Sequence, residues 1–330
     1  MIILTRAPCR IPLGGGGTDL PSYYSKYGGF LISIAINKYT YVLINKTTVD
    51  GFIRLKYSQS EKVRHTNEIK HVVFKESLKL MGIKREIEIA TMADAPAGTG
   101  LGSSGSFTVA LLAALHAFKR QFVHPSVLAK EACDIEIKRA NMATGKQDQY
   151  LAALGGVVCL DFAKDGKVEV LPLNIHPHIL EELESSLLLF YTDISRESFK
   201  IQKEQIKNTQ DNVQEVIDSL HKTKEIGLEI KETLEKGNLN RFGELLNIHW
   251  ENKKKRSKRI SNLQIDRWYK IARENGAIGG KIMGAGGGGF FAFYCPGKTK
   301  NKVRKAMEIE GLREMYYSFD MEGVKVLVNI

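Results

Sequence analysis

Apolar residues in the first half of the chain mostly follow the spacing and composition of strands. Residues 2–13 have an extended pattern, and the runs 29–46, 52–57 and 86–90 either are rich in β-branched and aromatic residues or alternate apolar with polar ones. We predict strands there and a hairpin built from 157–162 and 167–171. Helices are predicted over 71–81, over the wholly apolar segment 107–118, and over 126–140.

The pattern changes near residue 183. One buried strand is predicted over 186–191, and a helical stretch with few breakers follows over 197–236, where apolar residues recur every three or four positions. Further helices are predicted over 239–260, 263–275 and 299–310, and further strands over 290–295, 315–319 and 324–329. This succession favours an α+β fold with two domains, 1–182 and 183–330.

A loop rich in glycine and hydroxyl groups leads into the apolar helix predicted over 107–118. Its glycines let the backbone approach a ligand closely, and the unpaired amides at a helix start favour an anion. Ser103 and Ser104 add hydroxyls for a cation or a phosphate oxygen. The loop is neither a Walker A motif nor the dinucleotide fingerprint. It predicts a phosphate site, with an ordinary helix N-cap as the alternative.

A second glycine run, from Gly14 to Gly17, ends the first predicted strand and is followed by Thr18 and Asp19. With Arg10 in that strand, it gathers a carboxylate, a hydroxyl and a guanidinium, which suit a polyhydroxylated substrate. A flexible loop with an Asp cap is the alternative. A third glycine-rich segment, residues 279–289, enters the strand predicted over 290–295.

Two carboxylates are further candidates. Asp148 lies between two glutamines and near Lys146, which is the environment of an ionised carboxylate fixed by hydrogen bonds, although a capping Asp fits as well. A carboxylate on the helix predicted over 126–140, which carries Glu131, Asp134 and Glu136, would complete a cation site begun by the loop serines. Three acids in one helix are otherwise usually solvated.

Charge and composition narrow the partners. The net charge of +11 suggests an acidic partner. The basic run 253–259 is typical of a solvated helix end, and the lack of interleaved aromatic residues disfavours nucleic acid; a face bearing Lys253 and Arg256 near a substrate phosphate is an intermediate interpretation. The cysteines are too far apart for a metal or redox motif, and the longest apolar run is too short to span a bilayer. We expect a cytoplasmic protein that binds neither nucleic acid nor membrane.

The three glycine-rich segments resemble the three motifs of the GHMP small-molecule kinases, a family that includes galactokinase, homoserine kinase and mevalonate kinase. The matching segments are Ala7 to Asp19, Pro96 to Ser104 and Lys281 to Phe290, and their order and spacing agree over essentially the whole chain. The resemblance implies an N-terminal mixed α/β domain and a C-terminal ferredoxin-like α+β domain with the active site between them. It also implies ATP and Mg²⁺ as cofactors.

Within that family, four segments are similar to the kinases of D-glycero-D-manno-heptose 7-phosphate: those around Thr18, Asp148 and Trp250, and the third glycine-rich segment. The similarity implies transfer of the γ-phosphoryl group of ATP to the anomeric hydroxyl, giving heptose 1,7-bisphosphate for nucleotide-activated heptose and surface polysaccharide. Galactokinases carry Glu-His where this chain has Gly16 and Gly17, which argues against galactose. A 1-kinase of fucose or an amino sugar, and a non-catalytic nucleotide or nucleic-acid binder, are the alternatives.

The resemblance implies a role for each matching residue. Asp148 would orient or deprotonate the anomeric hydroxyl, Arg10 would offset charge near the transferred group, and Glu136 with Ser103 or Ser104 would hold Mg²⁺. The residues implied to cradle the ATP phosphates are Pro96, Gly98, Gly100, Leu101, Gly102, Ser103, Ser104, Gly105 and Ser106. Those implied to contact the sugar are Arg10, Gly16, Gly17, Thr18, Asp19, Lys146, Gly284, Gly286 and Gly287.

The phosphate already on the sugar needs a cation of its own. Lys146, Arg196, Lys253 and Lys281 are the candidates, and the sequence does not rank them. The third glycine-rich segment is expected to close the cleft from the second domain. The implied partners are a sugar phosphate and ATP, and a homodimer is compatible with them.

Overall fold

Two β-sheets organise the chain. The computed structural model describes residues 1–194 and 198–330, with the side chains of 198 and 199 outside the description. The larger sheet contains β1 (Ile2–Gly14), β2 (Gly29–Lys46), β3 (Ile53–Lys56), β4 (Ser60–Val63), β5 (Ile87–Ala93), β6 (Val157–Phe162), β7 (Val168–Leu171) and β12 (Lys325–Asn329). The smaller sheet contains β8 (Leu187–Tyr191), β9 (Gly279–Ile282), β10 (Phe290–Tyr294) and β11 (Arg313–Glu314).

The long antiparallel pair β1 and β2 is the centre of the larger sheet, whose order is β12-β1-β2-β5-β3-β4. Strand β2 is 18 residues long and pairs with β6 through its first part and with β5 through its last part. β3 and β5 are parallel to each other, whereas the other paired strands of this sheet are antiparallel. The smaller sheet is antiparallel, in the order β11-β8-β10-β9.

Helix α3 (Ser103–Phe118) is the central helix of the first half and packs on β1, β2 and the two helices Pro125–Cys133 and Gln147–Leu154. Because α3 has neighbours on several sides, its own apolar residues are distributed around the whole helix and it is not amphipathic. The other helices are α1 (Pro21–Tyr27), α2 (Val72–Leu80), α4 (Pro125–Cys133), α5 (Gln147–Leu154), α6 (Pro177–Ser186), α7 (Ser198–Gln210), α8 (Gln214–Glu235), α9 (Leu239–Lys254), α10 (Leu263–Glu274) and α11 (Lys300–Ile309). A 3₁₀ turn spans Thr66–Glu68, and a π-helical turn spans Asp134–Arg139.

The two sheets share one hydrophobic core. Leu13 and Ile32 of the larger sheet belong to the same buried cluster as Ile230 of α8, Leu245 of α9 and Ala292 of β10. A separate aromatic cluster lies on the other side of the smaller sheet and includes Phe190, Trp250, Tyr269, Phe291 and Phe293. Helices α8 and α9 therefore cover a junction between the sheets, and the loops at this junction face one another across a cleft.

Several predicted elements differ from the observed ones. The helical stretch predicted over 197–236 is two helices, because the chain turns at Asn212, whose φ is +55°; residue 197 lies outside the described residues. The helix predicted over 126–140 changes to a π-helical turn after Cys133, and α9 ends at Lys254 rather than near Ile260.

The C-terminal tail also differs from its prediction. Residues 315–319 are not a strand, although Phe319 forms an isolated bridge with Ile36. The next strand, β12, pairs with β1 of the larger sheet, so the chain ends in the sheet where it began. The boundary between residues 182 and 183 stays a prediction. In the part of the chain that the structure describes, no helix combines the length and the apolar character needed to cross a bilayer.

Gly105 permits the close contact between α3 and α5, which gives a first prediction. A Cβ atom at this position would lie 2.5 Å from the Cβ of Asp148 and 2.9 Å from its carbonyl carbon. We expect Gly105→Ala to lower the free energy of unfolding by about 1–3 kcal/mol, because overpacking against backbone outweighs the better helix propensity of Ala.

Denaturant unfolding measures this effect, with Gly297→Ala as the control, since a Cβ at Gly297 meets no atom within 4 Å. Equal stability of the two variants would contradict the packing role of Gly105.

Candidate active site

A buried ion pair joins the first strand to α5. Arg10 lies on β1 and donates from Nε to Oδ1 of Asp148 at 2.9 Å, while its Nη2 lies 2.7 Å from the same oxygen. The Arg10 side chain is only 6% exposed and that of Asp148 is 20% exposed, so the carboxylate retains access to the cleft. Asp148 is in the first turn of α5, where a negative charge is favoured by the helix dipole.

The glycine-rich loop between β5 and α3 lies next to this pair. Gly98, Gly100 and Gly102 all have φ between +77° and +90°, a region that L side chains rarely adopt. Arg10 binds the loop through its backbone amide, which donates to the Leu101 carbonyl at 2.8 Å, and through Nη1, which donates to the Gly100 carbonyl. The loop is thereby fixed at the start of α3, where the helix amides face the cleft.

The residues predicted to cradle phosphates do not all face the cleft. Pro96, Gly98 and Ser104 are exposed, and Ser103 is half-buried. Leu101 is buried, and the buried Ser106 hydroxyl donates to the Pro8 carbonyl at 2.6 Å. The structure therefore leaves the exposed loop backbone and the two serines Ser103 and Ser104 available to a ligand, and uses Ser106 to hold α3 against β1.

Glu136 lies in the π-helical turn and faces α3. Its carboxylate accepts from Ser104 at 3.2 Å, from Gln149 at 2.7 Å and from the Thr108 hydroxyl. Burial raises the pKa of the Glu136 carboxyl to about 7, and the Asp148 charge contributes to the rise. Of the two predicted serines, Ser104 is the one that contacts Glu136, whereas the Ser103 hydroxyl lies 4.0 Å from Cys9 Sγ. The described residues hold no cluster of three or more acidic, His or Cys side chains suited to a metal.

The loop after β1 supplies a second buried carboxylate. Asp19 accepts from the backbone amides of Gly17 and Gln147, each at 3.1 Å. Burial raises the pKa of the Asp19 carboxyl above its ordinary value, and the nearby Asp148 charge adds to this effect. The Thr18 hydroxyl is fully buried and donates to the carbonyls of Gly15 and Phe30, so it shapes the loop rather than facing the cleft.

One polar cavity contains both carboxylates and a group of basic residues. Its lining includes Arg10, Gly16, Gly17, Asp19, Asp148, His249, Lys253, Arg256, Lys281 and Gly284. Lys253 donates to the carbonyls of Ile282 at 3.0 Å and Gly284 at 2.6 Å, and so holds the third glycine-rich segment against α9. In that segment Gly286 and Gly287 pack against Ile260 and Arg259 rather than lining the cavity.

Lys146 does not lie with this group of basic residues. The Lys146 ammonium donates to the Gly166 carbonyl and lies 4.7 Å from the centre of the Tyr24 ring, and Lys146 is absent from the cavity lining. Arg196 lies outside the described residues. Arg256 and His249 also line the cavity. Arg256 was considered only together with Lys253, as a face near a substrate phosphate, and His249 was not among the predicted site residues. The sequence signal for Arg256 was its position three residues after Lys253, because residues at that spacing lie on the same face of a helix.

An apolar cavity of about 490 Å³ opens beside Ser103 and Ser104. Aromatic and aliphatic side chains line it, including Tyr57, His71, Phe74, Met92 and Phe107. Its size and composition suit the flat ring system of a small ligand. Sequence reasoning missed it, because its lining comes from separate elements whose spacing gives no motif.

Comparison with known proteins shows the family to which the chain belongs. The models described as "GHMP kinases N terminal domain" and "GHMP kinases C terminal" match residues 67–156 and 230–312. The chain is 31% identical to the D-glycero-alpha-D-manno-heptose 7-phosphate kinase of Campylobacter jejuni, over 98% of each protein.

Solved structures give the same picture. A D-glycero-D-manno-heptose 1-phosphate kinase from Bacteroides thetaiotaomicron superposes with a TM-score of 0.81 at 27% identity, covering 99% of each chain. The galactokinase of Lactococcus lactis in complex with galactose reaches a TM-score of 0.74 at 20% identity, over 100% of this chain and 95% of that one, which is a likeness of fold alone.

The family models and the full-length relative place this chain, with its glycine loop beside a buried Arg–Asp pair, among the small-molecule kinases. The chain belongs to the GHMP kinase family. The predicted two-domain α+β fold class and the phosphotransferase class are thereby confirmed, and ATP is the phosphoryl donor that this family uses.

The raised pKa of Glu136 makes a prediction about stability. A carboxyl with a raised folded-state pKa holds its proton more tightly when folded, so the folded state loses stability as the pH rises from about 4.5 to about 7. Glu136→Gln removes this titration, and the buried Gln149 amide oxygen, which has no partner among the described residues, is able to accept from the new amide.

We compare the free energy of unfolding of Glu136→Gln with that of the unsubstituted protein in Mg²⁺-free buffer. The difference is expected to rise in favour of the variant by about 1–3 kcal/mol as the pH increases from about 5 to about 8. Denaturant unfolding at several pH values measures this gain, and the exposed Glu169→Gln is the control. A difference between Glu136→Gln and the unsubstituted protein that stays constant with pH would show that the Glu136 pKa is not raised.

Proposed function

We propose that the protein transfers the γ-phosphoryl group of ATP to the anomeric hydroxyl of D-glycero-D-manno-heptose 7-phosphate. The Arg10–Asp148 pair, beside the end of the glycine-rich loop at the start of α3, carries the proposal, because it places a base and a cation next to the predicted phosphoryl donor. The name of the Campylobacter jejuni relative supports the choice of sugar.

Asp148 is the proposed base. Its carboxylate is partly exposed to the cavity and held in one orientation by Arg10. It accepts the proton of the attacking hydroxyl as that oxygen bonds to the γ-phosphorus and the bond from phosphorus to the β-phosphate oxygen breaks. Arg10 offsets the negative charge that gathers near the transferred group.

ATP occupies the loop and the apolar cavity beside it in this proposal. The exposed loop backbone between Pro96 and Ser104 and the amides at the start of α3 receive the phosphates. The adenine ring of ATP stacks among the aromatic residues near Ser103, where the cavity of about 490 Å³ is open to the loop. Two sites that are separate in sequence thus form one nucleotide site.

Mg²⁺ would be held by Ser104 and Glu136. Their oxygens lie 3.2 Å apart, and the buried carboxylate, with its raised pKa, would be stabilised in its ionised form by a cation. Mg²⁺ usually takes one or two protein oxygens and completes its octahedron with water and substrate phosphates, so a small donor set fits it. Bound Mg²⁺ supplies charge neutralisation of the phosphates.

The sugar lies in the polar cavity, with Asp19 as the proposed partner of its hydroxyls. The short glycine run before Asp19 leaves space there, since a Cβ at Gly16 would meet no atom within 4 Å. The homodimer, the cytoplasmic location and the role in polysaccharide synthesis stay predictions.

A substrate panel tests the choice of sugar. We expect ADP release with D-glycero-D-manno-heptose 7-phosphate to have a kcat/KM at least about 100-fold above that with free heptose or L-fucose, because the charged interaction with the sugar phosphate is lost. No turnover is expected with heptose 1-phosphate, because its anomeric oxygen is already phosphorylated. Heptose 1-phosphate belongs in the panel because the Bacteroides protein is named for that substrate. Equal rates with free heptose would overturn the sugar assignment, and activity that persists in EDTA would overturn the Mg²⁺ assignment.

Replacement of Asp148 tests the mechanism. We expect Asp148→Asn to lower kcat by about 10²–10⁴-fold while ATP binding is largely kept, because the amide retains the shape but takes no proton. Turnover assays and ATP titration calorimetry measure the two effects. Asp165→Asn, in the exposed turn between β6 and β7, is the matched control. Undiminished turnover of Asp148→Asn would exclude this residue as the base.

A further inference from the structure

Three side chains from the second half of the chain enter one part of the polar cavity. Lys281 lies on β9, His249 on α9, and Arg256 shortly after α9. Their residues are 2%, 2% and 3% exposed, respectively. Charged side chains at this depth are normally paired with an opposite charge.

No described carboxylate pairs with either cation. Lys281 Nζ donates to the Leu13 carbonyl at 2.9 Å, and Arg256 donates to the Gly16 carbonyl at 3.2 Å, to Ser219 Oγ at 3.1 Å and to the Thr223 hydroxyl. Neutral acceptors thus satisfy part of their donor capacity, and the positive charge stays uncompensated.

The pKa values of Lys281 and Arg256 are both lowered, as expected for buried cations that lack a counter-charge. Burial, together with the charges of Arg256 and Arg10, lowers the pKa of Lys281 to about 7. Burial likewise lowers the pKa of Arg256 to about 10. An anion between the two cations would reverse these shifts, because it stabilises the charged forms.

His249 adds an unused donor at the same place. Neither ring nitrogen has a hydrogen-bond partner among the described residues. Burial and the charges of Lys281, Arg256 and Lys253 hold its pKa well below the ordinary value, so the ring is neutral and keeps one N–H. A buried polar ring without partners in a ligand cavity is a position that a ligand atom can fill.

The glycine run after β1 makes room for Arg256. A Cβ at Gly17 would lie 2.8 Å from Arg256 Nη1 and 3.0 Å from Gln205 Nε2, and the backbone φ of Gly17 is +101°. A side chain at this position would thus displace the guanidinium from the cavity. The same short loop that admits the sugar also admits the cation.

We propose that Lys281, Arg256 and His249 form a subsite that binds the phosphate already present on the sugar substrate. The ligand is a phosphomonoester on the end of the sugar remote from the hydroxyl that receives the new phosphoryl group. Arg and Lys are the side chains best suited to a phosphate dianion, and the neutral imidazole donates a third hydrogen bond. This assignment rests on the proposed function and extends it to the specificity for a phosphorylated sugar.

Two of the other predicted candidates, Lys253 and Lys146, take different roles. Lys253 holds the third glycine-rich segment, and Lys146 is directed to Gly166 and the Tyr24 ring. The carboxylates Asp19 and Asp148 influence each other's environment, whereas the electrostatic neighbours of Lys281 are cations. Arg10 is bonded to Asp148, whereas Lys281 and Arg256 form no ion pair with a described carboxylate, which leaves their part of the cavity suited to an anion.

Calorimetric titration with heptose 7-phosphate and with unphosphorylated heptose tests the subsite. We expect Lys281→Gln and Arg256→Gln each to weaken binding of the phosphorylated sugar about 10- to 100-fold, as loss of a charge-assisted hydrogen bond predicts, and to lower the preference over free heptose by the same factor. Lys258→Met, in the same basic run but exposed, is the matched control and is expected to change binding less than about twofold.

The results distinguish failure of the subsite assignment from failure of the proposed function. Equal binding of both sugars by the unsubstituted protein, or an equal loss for both sugars in the variants, would overturn the subsite. Thermal unfolding shows whether each variant is folded. If one variant is unfolded, the subsite is tested by the other variant and by the binding of the two sugars to the unsubstituted protein. Turnover with ATP is measured in parallel, so its absence counts against the proposed function, whereas an unchanged phosphate preference in folded variants counts against the subsite.

Discussion

The contact of α5 with α3 and β1 is the constraint on which the site depends. Asp148 lies against Gly102 and Gly105, where a Cβ would meet it at 3.1 Å and 2.5 Å, and its carboxylate accepts from Arg10. Arg10 in turn holds the glycine-rich loop through two carbonyls. One interlocked group thus fixes the distance between the proposed base and the proposed phosphate site, and that distance governs phosphoryl transfer.

The local parts of this site were predictable from the sequence. Arg10, Gly16, Gly17, Asp19 and Asp148 belong to contiguous motifs, so they can be found from chain order, and they line one cavity in the structure. The glycine-rich loop before α3 instead lines the neighbouring apolar cavity, through Gly98, Ser103 and Ser104. Most strands and helices were predictable for the same reason, because hydrophobic spacing is a local property. The turn at Asn212 was not, because the helical pattern continues on both sides of it.

The remaining site residues depend on how the two halves pack. Lys146 is beside Asp148 in sequence, yet it is held by Gly166. Arg256 belongs to a run of charges that resembles a solvated helix end, and only packing against Gly17 and Thr223 shows that this one guanidinium is buried. The apolar cavity beside Ser103 and Ser104 is lined by residues that form no sequence motif. Such features follow from tertiary contacts, which a single sequence does not display.

Pairing of β12 with β1 also has a mechanical consequence. The chain leaves the larger sheet after β7, builds the smaller sheet, and returns to the larger sheet as β12. The smaller sheet is therefore tethered by two crossings of the backbone instead of one, and any relative movement must bend both. A double tether opposes twisting of the smaller sheet about a single linker. The third glycine-rich segment, which precedes β10, is thereby kept in register with the loop before α3, where the Phe290 amide donates to the Thr99 carbonyl at 3.1 Å.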